Sequence, residues 1–192
     1  MIYMFLATGF EEVEALCPLD ILRRAGLDVR TVSITTDRAV TGSHNITVNA
    51  DMSGDVFAAL NDTNPDMIIL PGGMPGTTHL AHDRTVEKAL AAANANGGWI
   101  AAICAAPMVL GRQGYLRGRR ATCFPGFEKY LDGATEIGGS VIRDDNPAHG
   151  GGVITARGVG VAMEFGLELV SVLASPEEAG AIRAAIQAQR AQ

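Results

Sequence analysis

Apolar residues in this chain fall into two spacings that alternate along its length. Residues 1–7 (MIYMFLA) form a short mixed apolar run that reads as a first buried strand. Over residues 11–25 the apolar positions Val13, Leu16, Cys17, Ile21 and Leu22 recur at helical intervals, with Gly26 as the stop. Pro18 inside that run predicts a kink or break, because it lacks the N–H that would close a helical turn. Residues 27–34 alternate and are rich in β-branched residues, a second strand. Residues 39–51 (AVTGSHNITVNAD) predict a polar excursion or a short hairpin at the sheet edge, and 56–60 a short helix. The fully apolar DMIIL at 66–70 is a buried strand that runs into PGGMPG, a loop for backbone-permissive residues. A helix over 79–94 follows, then a buried strand at 99–103 and a helix beginning near Pro107. A strand at 121–124, a short helix in PGFEKYL, a hairpin around DDNPAHGGG, a core strand at 153–155 and closing helices at 161–173 and 177–189 complete the chain. Strands alternating with helices predict an α/β sandwich with a mostly parallel sheet, and ligands in such sheets sit outside the carboxyl ends of the strands.

That rule brings three loops to one face. They are residues 9–14, with an acidic cluster; residues 71–76, with free backbone N–H groups; and the turn at Cys104. Cys104 lies where an apolar strand passes into small residues and then Pro107, which suits the first turn of a helix. A thiol at the amino end of a helix is expected to ionise more easily than a free one. A cysteine between alanines also fills a core well, so the fragment by itself leaves a reactive and a structural role open. PGGMPG matches neither GxxxxGK nor GxGxxG, so an N–H aimed at an oxyanion fits it better than a phosphate site.

Composition narrows the class. A chain of 192 residues, 47% hydrophobic with 23 glycines, suits one globular domain over 1–192. Net charge −6 speaks against general nucleic-acid binding, and RGRR at 117–120 reads as a solvated turn. No apolar run reaches the roughly 20 residues that span a bilayer. The first residues turn acidic without a basic leader, so a cytoplasmic protein is expected. Cys17, Cys104 and Cys123 make neither a disulfide framework nor a CxxC pair.

Five segments together resemble the ThiJ/PfpI superfamily, close to its YajL-type branch: EEVEA after the first strand, PLDILRRAG, IILPGG, AAICAAP, and TARGVGVAMEFGLELV. They keep the family's order and span nearly the whole chain. The resemblance implies a flavodoxin-like three-layer α/β sandwich related to the class I glutamine amidotransferases, usually a homodimer, with no cofactor and no metal. It implies that Cys104 is the nucleophile, Glu14 its hydrogen-bond partner, and Gly73 and Ala105 the residues whose N–H groups face an oxyanion or oxidised sulfur. It aligns His44 loosely with a pocket-lining arginine, and places Asp20, Arg23 and Arg24 on a helix near the dimer contacts.

The chain departs from part of the family in one respect. Members with strong glyoxalase activity carry a histidine after a segment like CFP, but residues 123–145 hold none, as in the YajL-type branch. His149 lies in the glycine hairpin, and His79 and His82 read as surface helix residues. The family's proteases carry a histidine directly after the cysteine, where Ala105 stands here, which disfavours peptide hydrolysis. The expected activity is glyoxalase- or deglycase-like attack of a Cys104 thiolate on small or protein-borne reactive carbonyls, with protonated Glu14 as the proton relay. The alternative is a redox sensor or stress-linked chaperone that uses oxidation of Cys104.

Overall fold

The computed structural model describes residues 1–188, the Glu136 side chain aside. Six strands form the main sheet: β1 (Ile2–Leu6), β2 (Val29–Ser33), β5 (Met67–Leu70), β6 (Trp99–Ile103), β9 (Val141–Asp145) and β10 (Gly152–Ala156). Their order is β2-β1-β5-β6-β10-β9, parallel except for β9, which pairs antiparallel with β10. β3 (Ala39–Thr41) and β4 (Thr47–Asn49) make a separate hairpin, and β7 (Arg120–Ala121) pairs with β8 (Glu136–Ile137). The 39–51 hairpin is therefore a small sheet of its own at the edge of the main one, tied to the edge strand β2 through Met52. The Met52 N–H donates to the Thr31 carbonyl at 3.1 Å, and its carbonyl accepts from the Ser33 N–H at 3.0 Å. The strand expected over 121–124 shrinks to the two residues of β7.

Strand pleating explains why the core strands read as unbroken apolar runs. In β1, Ile2, Met4 and Leu6 face one layer while Tyr3 and Phe5 face the other. The first layer is filled by α1 (Glu12–Arg24), α6 (Ala162–Leu173) and α7 (Pro176–Ala185). The second is covered by α2 (Gly54–Leu60), α3 (Gly76–His82), α4 (Arg84–Ala95) and α5 (Pro107–Arg112). The central strands β1, β5, β6 and β10 are thus buried on both faces, which gives the three-layer sandwich, while the edge strand β9 stays partly exposed.

Pro18 does not break α1, which runs through from Glu12 to Arg24 with Pro18 buried. The missing Pro18 N–H leaves the Glu14 carbonyl without its helical donor, and packing against α6 holds the helix instead. The approach is close enough that a Cβ on Gly166 would lie 3.0 Å from the Pro18 Cα. The single helix expected over 79–94 is two helices. Asp83 adopts extended backbone between them and accepts from the Thr85 and Val86 N–H groups at 2.8 and 3.0 Å, a side-chain N-cap that restarts the chain as α4. The closing helix ends at Ala185, and the part of that expectation at Gln189 lies outside the described residues.

Successive connections run from β1 outward to β2 and then back across to β5, so the strand order reverses between β1 and β5. A crevice forms at such a reversal, beyond the carboxyl ends of the strands. The loops leaving β1, β5 and β6 meet there.

Candidate active site

Each of the three acidic residues after β1 does a different job. Glu11 caps α1, its Oε2 accepting from the Glu14 N–H at 2.7 Å. Glu12, buried, holds the loop between β3 and β4: its oxygens accept from the His44 N–H at 2.7 Å and from the His44 ring Nδ1 at 2.8 Å. Burial works to raise the Glu12 pKa, but the His44 hydrogen bonds outweigh it and hold the carboxyl below its ordinary value. His44 is in turn raised by its hydrogen bond with Glu12. Glu14 is 1% exposed and turns inward, accepting from the Gly72 N–H at 3.1 Å and hydrogen-bonding with Cys104.

Cys104 closes the crevice from the β6 side. Its N–H donates to the Ala156 carbonyl at 2.9 Å, extending the pairing of β6 with β10 by one residue. The chain then turns sharply, with Cys104 in the left-handed region at φ 64°, which is costly for a residue with a Cβ. The strain is held by that bond, by the Ala106 N–H to the Ile103 carbonyl at 3.0 Å, and by the Phe124 N–H to the Cys104 carbonyl at 2.8 Å. The turn aims the thiol at Glu14 and places the Ala105 and Gly73 N–H groups against the sulfur. Gly72 lets them meet: a Cβ there would lie 2.5 Å from Glu14 Oε2 and 2.7 Å from the Cys104 Cβ. Gly73, at φ 88°, passes so near the Glu11 N–H that a Cβ would lie 2.3 Å from that nitrogen.

The electrostatics differ from the expectation of an easily ionised thiol. Burial, then the Glu14 charge and hydrogen bond, push the Cys104 thiol up to about 12, while the Ala105 and Gly73 N–H groups pull the other way. The helix that follows is only six residues long, too short for its dipole to offset the loss of water. Burial likewise raises Glu14 to about 7, with Glu11 adding to the rise and the Cys104, Gly72 and Val159 hydrogen bonds opposing it. Two acids in contact cannot both be charged cheaply, so the pair keeps one proton between them over a wide pH range.

Cys104, Glu14, Gly73 and Ala105, assembled from three separate segments, are thus brought together in one place. His44 is not among them; its ring is exposed and faces Glu12 and, at 3.9 Å, Glu11. Glu11, Glu12 and His44 form a group compact enough for a metal ion. Hydrogen bonds already occupy the Glu12 oxygens, and Glu11 caps the helix, so the contact reads as an ion pair. His79 and His82 point their Nδ1 atoms at the Thr8 and Thr78 carbonyls, away from the thiol. Sequence reasoning missed Gly72 as the residue that admits Glu14, and missed Phe124 and Val159 beside the pair. The paired glycines after an apolar strand were the available signal for the first; nothing local marks the other two.

The DJ-1/PfpI family model matches residues 1–172. Protein DJ-1 homolog B of Arabidopsis thaliana is 37% identical over 176 residues, covering 91% of this chain, though the chain spans only 38% of that relative's length. The protein named glutathione-independent glyoxalase DJR-1.2 of Caenorhabditis elegans is 35% identical over 175 residues, covering 90% of this chain and 87% of its own. Among solved structures, that of Toxoplasma gondii DJ-1, oxidized, superposes with a TM-score of 0.87 at 32% identity, covering 97% of each chain. With the family model spanning nearly the whole sequence and the same fold in a solved relative, this chain belongs to the DJ-1/PfpI family.

Proposed function

We propose that this protein is a cysteine-dependent enzyme of reactive carbonyls, converting α-oxoaldehydes such as methylglyoxal to 2-hydroxy acids without a cofactor. The observation that carries this reading is the contact between Glu14 and Cys104 beneath two converging N–H groups. A carboxylate whose pKa is about 7 suits the transfer of a thiol proton near neutral pH. As the sulfur attacks the aldehyde carbon, the S–C bond forms and the carbonyl π electrons move to oxygen. The developing oxyanion is held by the Gly73 and Ala105 N–H groups. Glu14 takes the thiol proton, so the reacting pair is thiolate and protonated Glu14, although the resting proton lies on sulfur. Glu14 then returns that proton to the oxyanion, giving a hemithioacetal.

Moving the hydrogen on the former aldehyde carbon to the neighbouring ketone carbon, with Glu14 as relay, converts the hemithioacetal to a 2-hydroxy thioester. Water cleaves the thioester, releasing the 2-hydroxy acid and restoring the thiol. An α-oxoaldehyde carried as an adduct on a protein thiol or amine gives deglycase chemistry at the same groups. The adduct C–S or C–N bond breaks, the thiol or amine leaves with the adduct's hydroxyl proton, and Cys104 adds to the regenerated aldehyde. The relative from Caenorhabditis elegans named a glyoxalase supports this reading. The test is turnover of methylglyoxal by wild type and Cys104→Ser with intact-mass analysis. Wild type is expected to produce the 2-hydroxy acid and the Ser variant to fall by 10²-fold or more; equal turnover would refute the reading.

A second reading uses the same geometry without turnover. The N–H groups against the sulfur also suit an oxidised cysteine, and one solved relative is described as oxidized. Intact mass after peroxide, with Cys104→Ser as control, separates a sensor from an enzyme.

A further inference from the structure

Beside the pair lies a cavity of about 240 Å³, lined by Phe124, Pro125 and the segment from Arg157 to Val161. Its walls reach the Cys104 main chain and the Glu14 carboxyl through backbone N–H groups. The Phe124 N–H donates to the Cys104 carbonyl at 2.8 Å, and the Val159 N–H faces the Glu14 carboxyl. Phe124 sits in a turn closed by the Phe127 N–H on its own carbonyl at 3.0 Å. Phe124 is 46% exposed and Val159 48% exposed, and both line the cavity. The Phe124 ring lies near Gly158, where an added Cβ would come within 3.3 Å of it, and Gly160 leaves open space beyond. Single exposed apolar residues need no explanation, but two flanking one cavity next to a nucleophile do. Arg157 is the lining's one charge, and it is exposed.

Methylglyoxal offers a lone methyl group and would leave this cavity nearly empty. A void of about 150 Å³ is enough for a benzene ring. We propose that the cavity holds an aryl-sized arm of the substrate, so that the site selects aromatic α-oxoaldehydes over methylglyoxal, with Phe124 as the specificity-determining residue. The inference rests on the carbonyl chemistry proposed above. The ring of the arm lies against Phe124 and the Val159 and Val161 side chains, gaining an aromatic contact and leaving water.

The test compares kcat/KM for phenylglyoxal and methylglyoxal in wild type, Phe124→Ser and Phe124→Leu. Expected is a preference for phenylglyoxal of about tenfold or more, the worth of extra apolar surface in a fitted pocket. Phe124→Ser should lower the phenylglyoxal-to-methylglyoxal ratio of kcat/KM by about tenfold, mainly through the KM for phenylglyoxal, and Phe124→Leu should recover part of that ratio. An unchanged ratio in Phe124→Ser overturns the inference. A separate arm needs no turnover: acetophenone titrated into Cys104→Ser should shift the Val159 and Val161 methyl resonances, and bind about tenfold more weakly when Phe124→Ser is added. Methyls that stay unmoved overturn the cavity assignment even if methylglyoxal is consumed. Acetophenone binding there without any carbonyl turnover upholds the cavity and overturns the proposed activity instead.

Discussion

At the scale of single residues the site turns on one proton shared by two acids. Glu14→Gln removes the carboxylate charge beside Cys104 and keeps a hydrogen-bond partner of the same size. The thiol should then ionise at lower pH than in wild type, because burial remains and the Glu14 charge does not. Thiolate absorbance should titrate earlier and iodoacetamide should label Cys104 faster. Turnover should nevertheless fall by about 10²-fold or more, because the amide cannot relay a proton. In wild type the activity should rise with pH through about 7, as Glu14 becomes the base, and that step should vanish in the Gln variant. The same shift has a stability signature. The native state binds the Glu14 proton more tightly than the unfolded chain, so the contribution is complete below the ordinary 4.5 and is lost as pH rises through about 7. Wild type should therefore lose ground to Glu14→Gln between about pH 5 and 8, by up to about 3 kcal/mol, in paired denaturant titrations.

At the scale of elements, helix ends and turns decide where the chemistry points. α1 starts at Glu12 because Glu11 caps it, and this phase places Glu14 on the inner face. A start one residue later would swing that side chain by about a quarter turn, since a helix makes one turn in about 3.6 residues. The two-helix arrangement after the glycine loop depends on Asp83 in the same way. Asp83→Ala should cost about 1 kcal/mol, seen as a lower midpoint in urea at unchanged slope. It should leave methylglyoxal turnover near wild type, because α4 carries no group of the site. A large loss of turnover would mean that the break between α3 and α4 helps to hold the glycine loop.

At the scale of the whole molecule, the order β2-β1-β5-β6-β10-β9 puts the loops after β1, β5 and β6 side by side at the strand-order reversal. Among the described residues no helix is long and apolar enough to cross a membrane. The neighbouring helices α1 and α6 expose Val13, Leu16 and Met163 at 49%, 37% and 41%. Together with the family resemblance, this apolar face leads us to expect a homodimer built through it. Sedimentation at micromolar concentration should report about twice the 20.1 kDa subunit mass. Val13→Asp should shift the population toward monomer, and a wild-type protein that sediments only as the single subunit would refute the dimer.

Several features of this protein were legible in the residue order because their physics is local. Apolar runs bounded by glycine and proline marked the core strands, the AAICAAP turn marked Cys104, and alternation of strand with helix marked the layered fold. The segments from EEVEA to TARGVGVAMEFGLELV marked the family. Other outcomes depended on distant parts of the chain. Pro18 stays within a continuous helix because α6 packs against it at Gly166, and Asp83 divides a pattern that periodicity alone reads as one helix. The thiol is pushed up although its place before a helix suggested the opposite, since burial and the charge of a residue 90 positions away outweigh a six-residue dipole. His44 turns to Glu12 because the hairpin carrying it folds over the start of α1. Short-range pattern determined which segments would form and which cysteine stood at a strand end; only packing decided which carboxylate meets the sulfur, because solvation and charge act through space and not along the chain.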